Sequence, residues 1–202
     1  MNFWDHKYDM PDYKYGKLPN RFLREQQVRL RPASAVLLPG DGEGRNSVWL
    51  AEQRHSVTAV DSSALGLDKT RRLAAEKGVA VATLLADLEQ WAPEPISFDA
   101  VVLTYLHLPA SWRAQAMQNL AQGLRSGGWF VLEAFNPLQL DYSSGGPKDA
   151  SMLYTLQTLR DDLGHRWPAR GAGLGGRSAP SRRHRPPRPA YVTRYVAQRA
   201  AS

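Results

Sequence analysis

Between residues 33 and 163, short apolar runs alternate with helix-like stretches, and few folds accommodate that alternation. Residues 35–38, 56–61, 79–85, 98–103 and 129–133 read as strands. Residues 47–53, 64–77 and 110–124 read as helices; in the last, Met117, Leu120, Ala121 and Leu124 recur at i, i+3, i+4 and i+7. Gly78 stands where a helix should stop, and Gly127-Gly128 marks the turn into the fifth strand. Strands that each lead into a helix predict an α/β domain with a mostly parallel sheet covered on both faces. A polar loop over 136–150 and a helix over 151–163 follow. Ahead of the alternating region, residues 1–26 form an aromatic arm carrying Trp4, Tyr8, Tyr13 and Tyr15, with a short helix expected over 21–31.

The chain has 202 residues, the size of one domain with one core. It contains no apolar run long enough to span a bilayer, so no membrane partner is expected. Residues 1–7 lack an apolar secretory core, and cysteine is absent. Together these predict a cytoplasmic protein without disulfides, thiolate metal sites or a cysteine nucleophile; no metal site is expected. The net charge of +7 is uneven. Residues 164–202 hold nine Arg and no acid, so residues 1–163 hold 17 Lys plus Arg against 19 Asp plus Glu. A mildly acidic body carries a basic tail, and nucleic acid is not expected as its partner.

Residues 164–189 contain five Gly, five Pro and seven Arg, but one Leu and no Val, Ile or Phe. So little apolar surface does not offset the cost of ordering the segment. The division expected is a main domain over 1–163, an irregular Arg/Gly/Pro-rich segment over 164–189, and a last strand and tail over 190–202. The sheet should therefore be incomplete or irregular at its C-terminal edge. The abrupt loss of acids and β-branched residues, between flanks that fit, predicts a stretch read in a shifted frame. The competing reading is a genuine Arg-rich tail that binds anions.

The first strand ends in Gly40-Asp41-Gly42-Glu43-Gly44. Glycines there permit a tight turn and close approach of a ligand to the backbone, and the next helix aims its free N–H groups at the same crevice. Asp61 closes the second strand, where a carboxylate can accept hydrogen bonds from both hydroxyls of a ribose. Asp87 follows the third strand, within reach of an adenine amino group. Tyr105, Leu106 and His107 follow the fourth, at the edge where such sheets bind ligands. Each alone is also a common turn or capping residue. The pattern leaves three classes open: a methyl transferase, a nicotinamide-dinucleotide oxidoreductase, and a non-catalytic cofactor- or nucleic-acid-binding module. The spacing G-x-G-x-G, rather than G-x-G-x-x-G, disfavours the second.

The chain resembles the class I S-adenosylmethionine-dependent methyltransferases, in particular a small tellurite-resistance-type branch. The matching stretches are Trp4-Asp5, Tyr15-Gly16-Lys17-Leu18-Pro19-Asn20-Arg21-Phe22-Leu23, Gly40 through Asn46, Val57 through Leu67, Leu106-His107-Leu108-Pro109, Leu124-Arg125-Ser126-Gly127-Gly128, and Leu132-Glu133-Ala134-Phe135 with Gly145-Gly146-Pro147. The resemblance implies a doubly wound, Rossmann-like seven-strand sheet. It also implies transfer of a methyl group from S-adenosyl-L-methionine to a small-molecule acceptor by in-line displacement. It assigns the cofactor to Tyr15, Gly40, Asp41, Gly42, Gly44, Asn46, Asp61, Ser62, Asp87, Leu88 and Tyr105, with His107 as the candidate base. One departure stands out. The family usually carries an acid two residues before the first loop glycine, and this chain has Leu38; Asp41 is expected to take over part of the contact with the ligand's ammonium group. The acceptor and the oligomeric state stay open.

Overall fold

The structure, a computed structural model, describes residues 2–143, 145–164, 167, 169–176 and 190–200. Seven strands form one sheet: β1 (Ala35–Pro39), β2 (Ser56–Asp61), β3 (Ala82–Leu85), β4 (Phe98–Thr104), β5 (Leu124–Phe135), β6 (Ala169–Gly176) and β7 (Tyr191–Gln198). Their spatial order is β3-β2-β1-β4-β5-β7-β6. β1 to β5 run parallel, and β7 inserts antiparallel between β5 and β6. The helices are α1 (Phe3–Tyr8), α2 (Arg21–Gln26), α3 (Ser47–Glu52), α4 (Ala64–Lys77), α5 (Ala110–Gln122) and α6 (Leu156–Leu163).

Alternate residues of the central strands point to opposite faces, as the pleat requires. Leu37, Val101, Leu103, Phe130 and Leu132 meet Met117 and Leu120 of α5 and Leu159 and Leu163 of α6. Val36, Leu38, Ala100, Val102 and Val131 meet Phe22 and Leu23 of α2 and Leu50 of α3. Leu38 is therefore a core residue, which accounts for an apolar side chain where the family pattern has an acid.

The expected strands and helices recur with shifted ends. α4 spans the predicted residues because both caps are local: Ser63 accepts a hydrogen bond from Gly66 N at 3.0 Å, and Gly78 takes the left-handed conformation at φ 66°. β3 begins three residues late. β5 begins early, at Leu124, because the Gly127-Gly128 turn is absorbed as an irregularity in its pairing with β4. A side chain at Gly128 would meet Arg125 O at 2.8 Å and Asp99 O at 3.1 Å, so the site demands glycine. The helix expected over 151–163 starts only at Leu156. The backbone before it is taken by tertiary partners: Tyr154 N donates to Phe135 O at 3.0 Å, and Thr193 Oγ1 donates to Tyr154 O at 2.5 Å.

Two corrections concern the ends of the chain. The aromatic arm holds a helix, α1, that its sequence did not suggest. The C-terminal sheet edge is not missing a strand: Ala169–Gly176 pairs along β7, with one irregularity between Ala169 and Gly171. A strand can form there because backbone hydrogen bonds to β7 need no particular side chains. The shifted-frame reading falls on residues 164–189, of which 165, 166, 168 and 177–189 lie outside the described residues.

Candidate active site

The glycine loop leaves β1 and enters α3 through three left-handed glycines, Gly40, Gly42 and Gly44, at φ 66°, 65° and 86°. Gly44 is the least replaceable, since a side chain there would meet the backbone of Thr70 at 2.8 Å. The loop is fastened to the end of β2. Gly40 N donates to Val60 O at 2.7 Å, and Gly42 N donates to Asp61 Oδ2 at 2.8 Å. The other carboxylate oxygen of Asp61 accepts from Ser63 N at 2.8 Å. The Ser62 N–H also acts on the carboxylate, which keeps acceptor capacity for a hydroxyl donor beyond these three backbone groups. Burial pushes its proton affinity up, and the backbone N–H groups oppose that shift. Ser62, beside it, is exposed and offers its carbonyl to Asn2.

Charge is concentrated beneath the loop. Ser47 of α3 donates to one oxygen of Asp41, while Asp41 Oδ1 is buried with no hydrogen-bond partner. Burial lifts the Asp41 carboxyl to about 6. Glu43 pairs with Lys69 of α4 at 2.8 Å, both nearly buried, and its Oε2 is also unpartnered. The arm packs on this layer. Tyr13 donates to Lys69 O at 3.0 Å, and Lys69 Nζ donates to Asp12 O at 2.8 Å. Asp5 of α1 accepts from Ser63 Oγ at 2.7 Å, at the start of α4. Tyr15, half-buried, lies on the same arm close enough to Tyr8 to act on its hydroxyl electrostatically.

Asn46 is held by protein partners on both side-chain atoms. Its Oδ1 accepts from Asn20 N, and its Nδ2 donates to Thr104 Oγ1, both at 2.8 Å. Asn20 in turn donates to Glu133 Oε1 at 2.7 Å, and Arg194 Nε donates to Glu133 Oε2 at 2.7 Å. Asn20, Asn46 and Glu133 are all buried, Glu133 completely. This chain of polar contacts ties the arm, α3, β4, β5 and β7 behind the site. Glu133 and Asn20 were quoted as motif residues without a role; an acid ending an otherwise apolar strand was the signal.

His107 is also built in. Nδ1 lies 2.7 Å from the Met152 carbonyl, and Nε2 lies 3.2 Å from Phe135 N. A carbonyl only accepts and an amide N–H only donates, so the ring is neutral with its proton on Nδ1. It stacks on Phe135 at 5.5 Å, and burial drops its proton affinity to about 4. Neither nitrogen is left to act as the base expected of it. Tyr105, at φ 57°, turns its ring onto Phe135 at 4.8 Å. Asp87 is exposed and caps the turn that follows β3 by accepting from Glu89 N at 3.0 Å, whereas Leu88 is buried in the core beside it.

Gly40, Gly42, Gly44, Asp41, Asp61 and the arm thus converge at one end of β1 and β2, and Tyr105 and His107 lie at the end of β4. The donor set fits an adenosyl amino-acid cofactor: left-handed glycines free of side chains, an acceptor carboxylate at a strand end, and a buried orphan carboxylate oxygen suited to a cation. Among the described residues no cluster of three or more His, Asp or Glu could hold a metal ion, and no helix is long and apolar enough to cross a membrane.

Comparison with known proteins bears on the family and the fold. Residues 36–128 match the family described as "Methyltransferase domain". No curated protein sequence matches the chain. Similar solved structures include an S-adenosylmethionine-dependent methyltransferase from Methanosarcina mazei (15% identity, TM-score 0.68, 92% of this chain and 100% of that one). TehB from Haemophilus influenzae is 16% identical with a TM-score of 0.71, over 98% of this chain and 66% of that one. The N-methyltransferase NodS from Bradyrhizobium japonicum is 14% identical with a TM-score of 0.68, over 89% and 93%. At such identities the likeness is one of fold, Rossmann-like α/β. The matched segment runs from β1 through Gly128 and takes in the loop, Asp61 and Asp87: the chain carries a methyltransferase domain, and its cofactor is S-adenosylmethionine.

Proposed function

We propose that this protein methylates a small-molecule acceptor that brings its own nucleophilic lone pair. The observation that carries the reading is the state of His107, whose two nitrogens are both bound to backbone groups. A β4 end whose candidate base is already occupied suits an acceptor that is itself nucleophilic at neutral pH, such as a thiolate, an unprotonated amine or a soft oxyanion. When bound, S-adenosylmethionine supplies an activated methyl group on a sulfonium. The chain's own part is to bind, orient and exclude water. On this reading Asp61, with Ser62 beside it, holds the ribose, Leu88 and Asp87 frame the adenine, and Gly40 and Gly42 line the methionine end over Asp41. The acceptor enters between the arm, with Tyr15, and residues 134–150, with Tyr105 forming the wall nearest the reacting atoms. The likeness to TehB and the Trp4-Asp5 to Asn20 arm favour the tellurite-resistance-type branch.

The test is a turnover screen of small thiols, amines and oxyanions with S-adenosylmethionine, read by release of S-adenosylhomocysteine. Turnover with at least one such acceptor, with the pH profile unchanged in shape by His107→Phe, is the expected result. Turnover only with acceptors that need deprotonation, or only with a macromolecule, defeats the reading.

A further inference from the structure

We infer that Tyr8 is a cofactor-binding residue: its hydroxyl donates a hydrogen bond to the ribose side of the adenosyl group, closing the site from the arm. The inference deepens the reading above and rests on it.

Tyr8 is the last residue of α1 and is 6% exposed. Its ring lies across two glycines from different elements. A side chain on Gly42, in the loop, would meet the Tyr8 hydroxyl at 2.5 Å; one on Gly66, in the first turn of α4, would meet ring carbons at 3.1 Å. Gly66 has ordinary helical φ, so no backbone strain calls for glycine there; the close approach of the Gly42 carbonyl, at 2.9 Å, and of the Tyr8 ring does. The helix that carries Tyr8 is pinned at the same junction, by Asp5 to Ser63 Oγ and by Asn2 to the Ser62 carbonyl. Trp4 stacks on the outer face of the ring at 5.7 Å.

Ring, seat and anchors would all be served by phenylalanine. The hydroxyl adds a donor instead: among the described residues it makes no hydrogen bond, and it is not sealed from solvent, so it is available to a ligand. Its neighbours say what it awaits. The charges acting on it are Asp61, Glu43 and Asp41, and together with burial they hold the phenol firmly protonated, so it is a donor at every relevant pH. Asp61 is the acceptor expected to take ribose hydroxyls, and Gly42 N is already bonded to it at 2.8 Å. A donor beside the same carboxylate complements the hydroxyls of a ribose, which accept as well as donate.

Calorimetric titration with S-adenosylhomocysteine and, separately, 5′-methylthioadenosine tests this on the full chain, with the unliganded melting temperature as a check on folding. Tyr8→Phe should weaken both ligands about 5- to 20-fold with little change in melting, the loss of one hydrogen bond. Tyr8→Ala should weaken them further. Equal binding by wild type and Tyr8→Phe overturns the donor role. A loss seen only with S-adenosylhomocysteine moves the contact to the amino-acid end and overturns the ribose placement. Tighter binding by Tyr8→Ala makes the side chain a plug and overturns the proposal outright. No binding by the wild type overturns the cofactor reading itself, a failure distinct from the other three.

Discussion

The two halves of the site treat their polar atoms in opposite ways. On the loop side, Asp41 Oδ1 and Glu43 Oε2 are buried without partners, and the Tyr8 hydroxyl waits beside Asp61. On the strand-end side, among the described residues, every buried side-chain oxygen and nitrogen is used: His107 at both nitrogens, Asn136 by Tyr154 and Thr193, Glu133 by Asn20 and Arg194. Unpaired buried groups are costly in a ligand-free protein and favourable once a ligand supplies the partners. On the proposed reading a ligand completes the first half. The second is complete in itself and offers an acceptor shape more than chemistry.

The sharpest way to break the contrast is to spoil the completed half. Arg194→Met leaves Glu133 buried without its cation and should destabilise the fold by about 3–5 kcal/mol. Denaturant unfolding measures it; a loss under 1 kcal/mol would mean the network is ornamental. His107→Phe strands the Met152 carbonyl and the Phe135 N–H, for about 2–4 kcal/mol. Turnover per folded molecule should fall by less than tenfold, and a thousandfold loss would restore His107 as a base. Its pH signature has a definite sign. Folded His107 holds its proton only below about 4, well under the unfolded value, so its contribution is full above pH 6.5 and is lost as pH falls from there towards 4.

On the incomplete half, stability and affinity should move apart. Asp61→Asn should weaken S-adenosylhomocysteine binding roughly 30-fold, about 2 kcal/mol, with a smaller effect on the ligand-free fold. Asp41→Asn should weaken binding about 5- to 10-fold while raising the melting temperature of the ligand-free protein. Because folding raises the Asp41 carboxyl to about 6, its charge costs stability increasingly as pH rises from its ordinary value through 6. The gain on substitution should therefore be full above pH 6 and vanish near pH 4. If both properties fall together, Asp41 is a structural prop of the loop and not a ligand contact.

The part of this organisation that could be read from sequence is the part fixed by neighbours along the chain. Gly40-Asp41-Gly42-Glu43-Gly44, Asp61 and the caps of α4 depend on local turns, and they stand where the pattern puts them. The misread residues depend on distant partners. Asn46 looked like a loop residue facing the ligand because its bonds to Asn20 and Thr104 come from remote segments. His107 looked free because Met152 and Phe135 lie far along the chain. β6 was unreadable because strand pairing at Ala169–Gly176 draws on the backbone and leaves no apolar pattern. Tyr8 was one aromatic among several until Gly42 and Gly66 were brought together beneath it.

The antiparallel seat of β7 has a consequence for how the protein is made. Arg194 is made after Asn20, Phe22 and Glu133, yet it completes Glu133, which holds Asn20, which fixes the base of the arm; it also lies 5.0 Å from the ring of Phe22. A nascent chain that already contains the loop and Asp61 still lacks the strand that locks its N-terminal arm in place. Docking of the arm is thus deferred until β7 has been made, and any truncation that removes β7 should release the N-terminal arm.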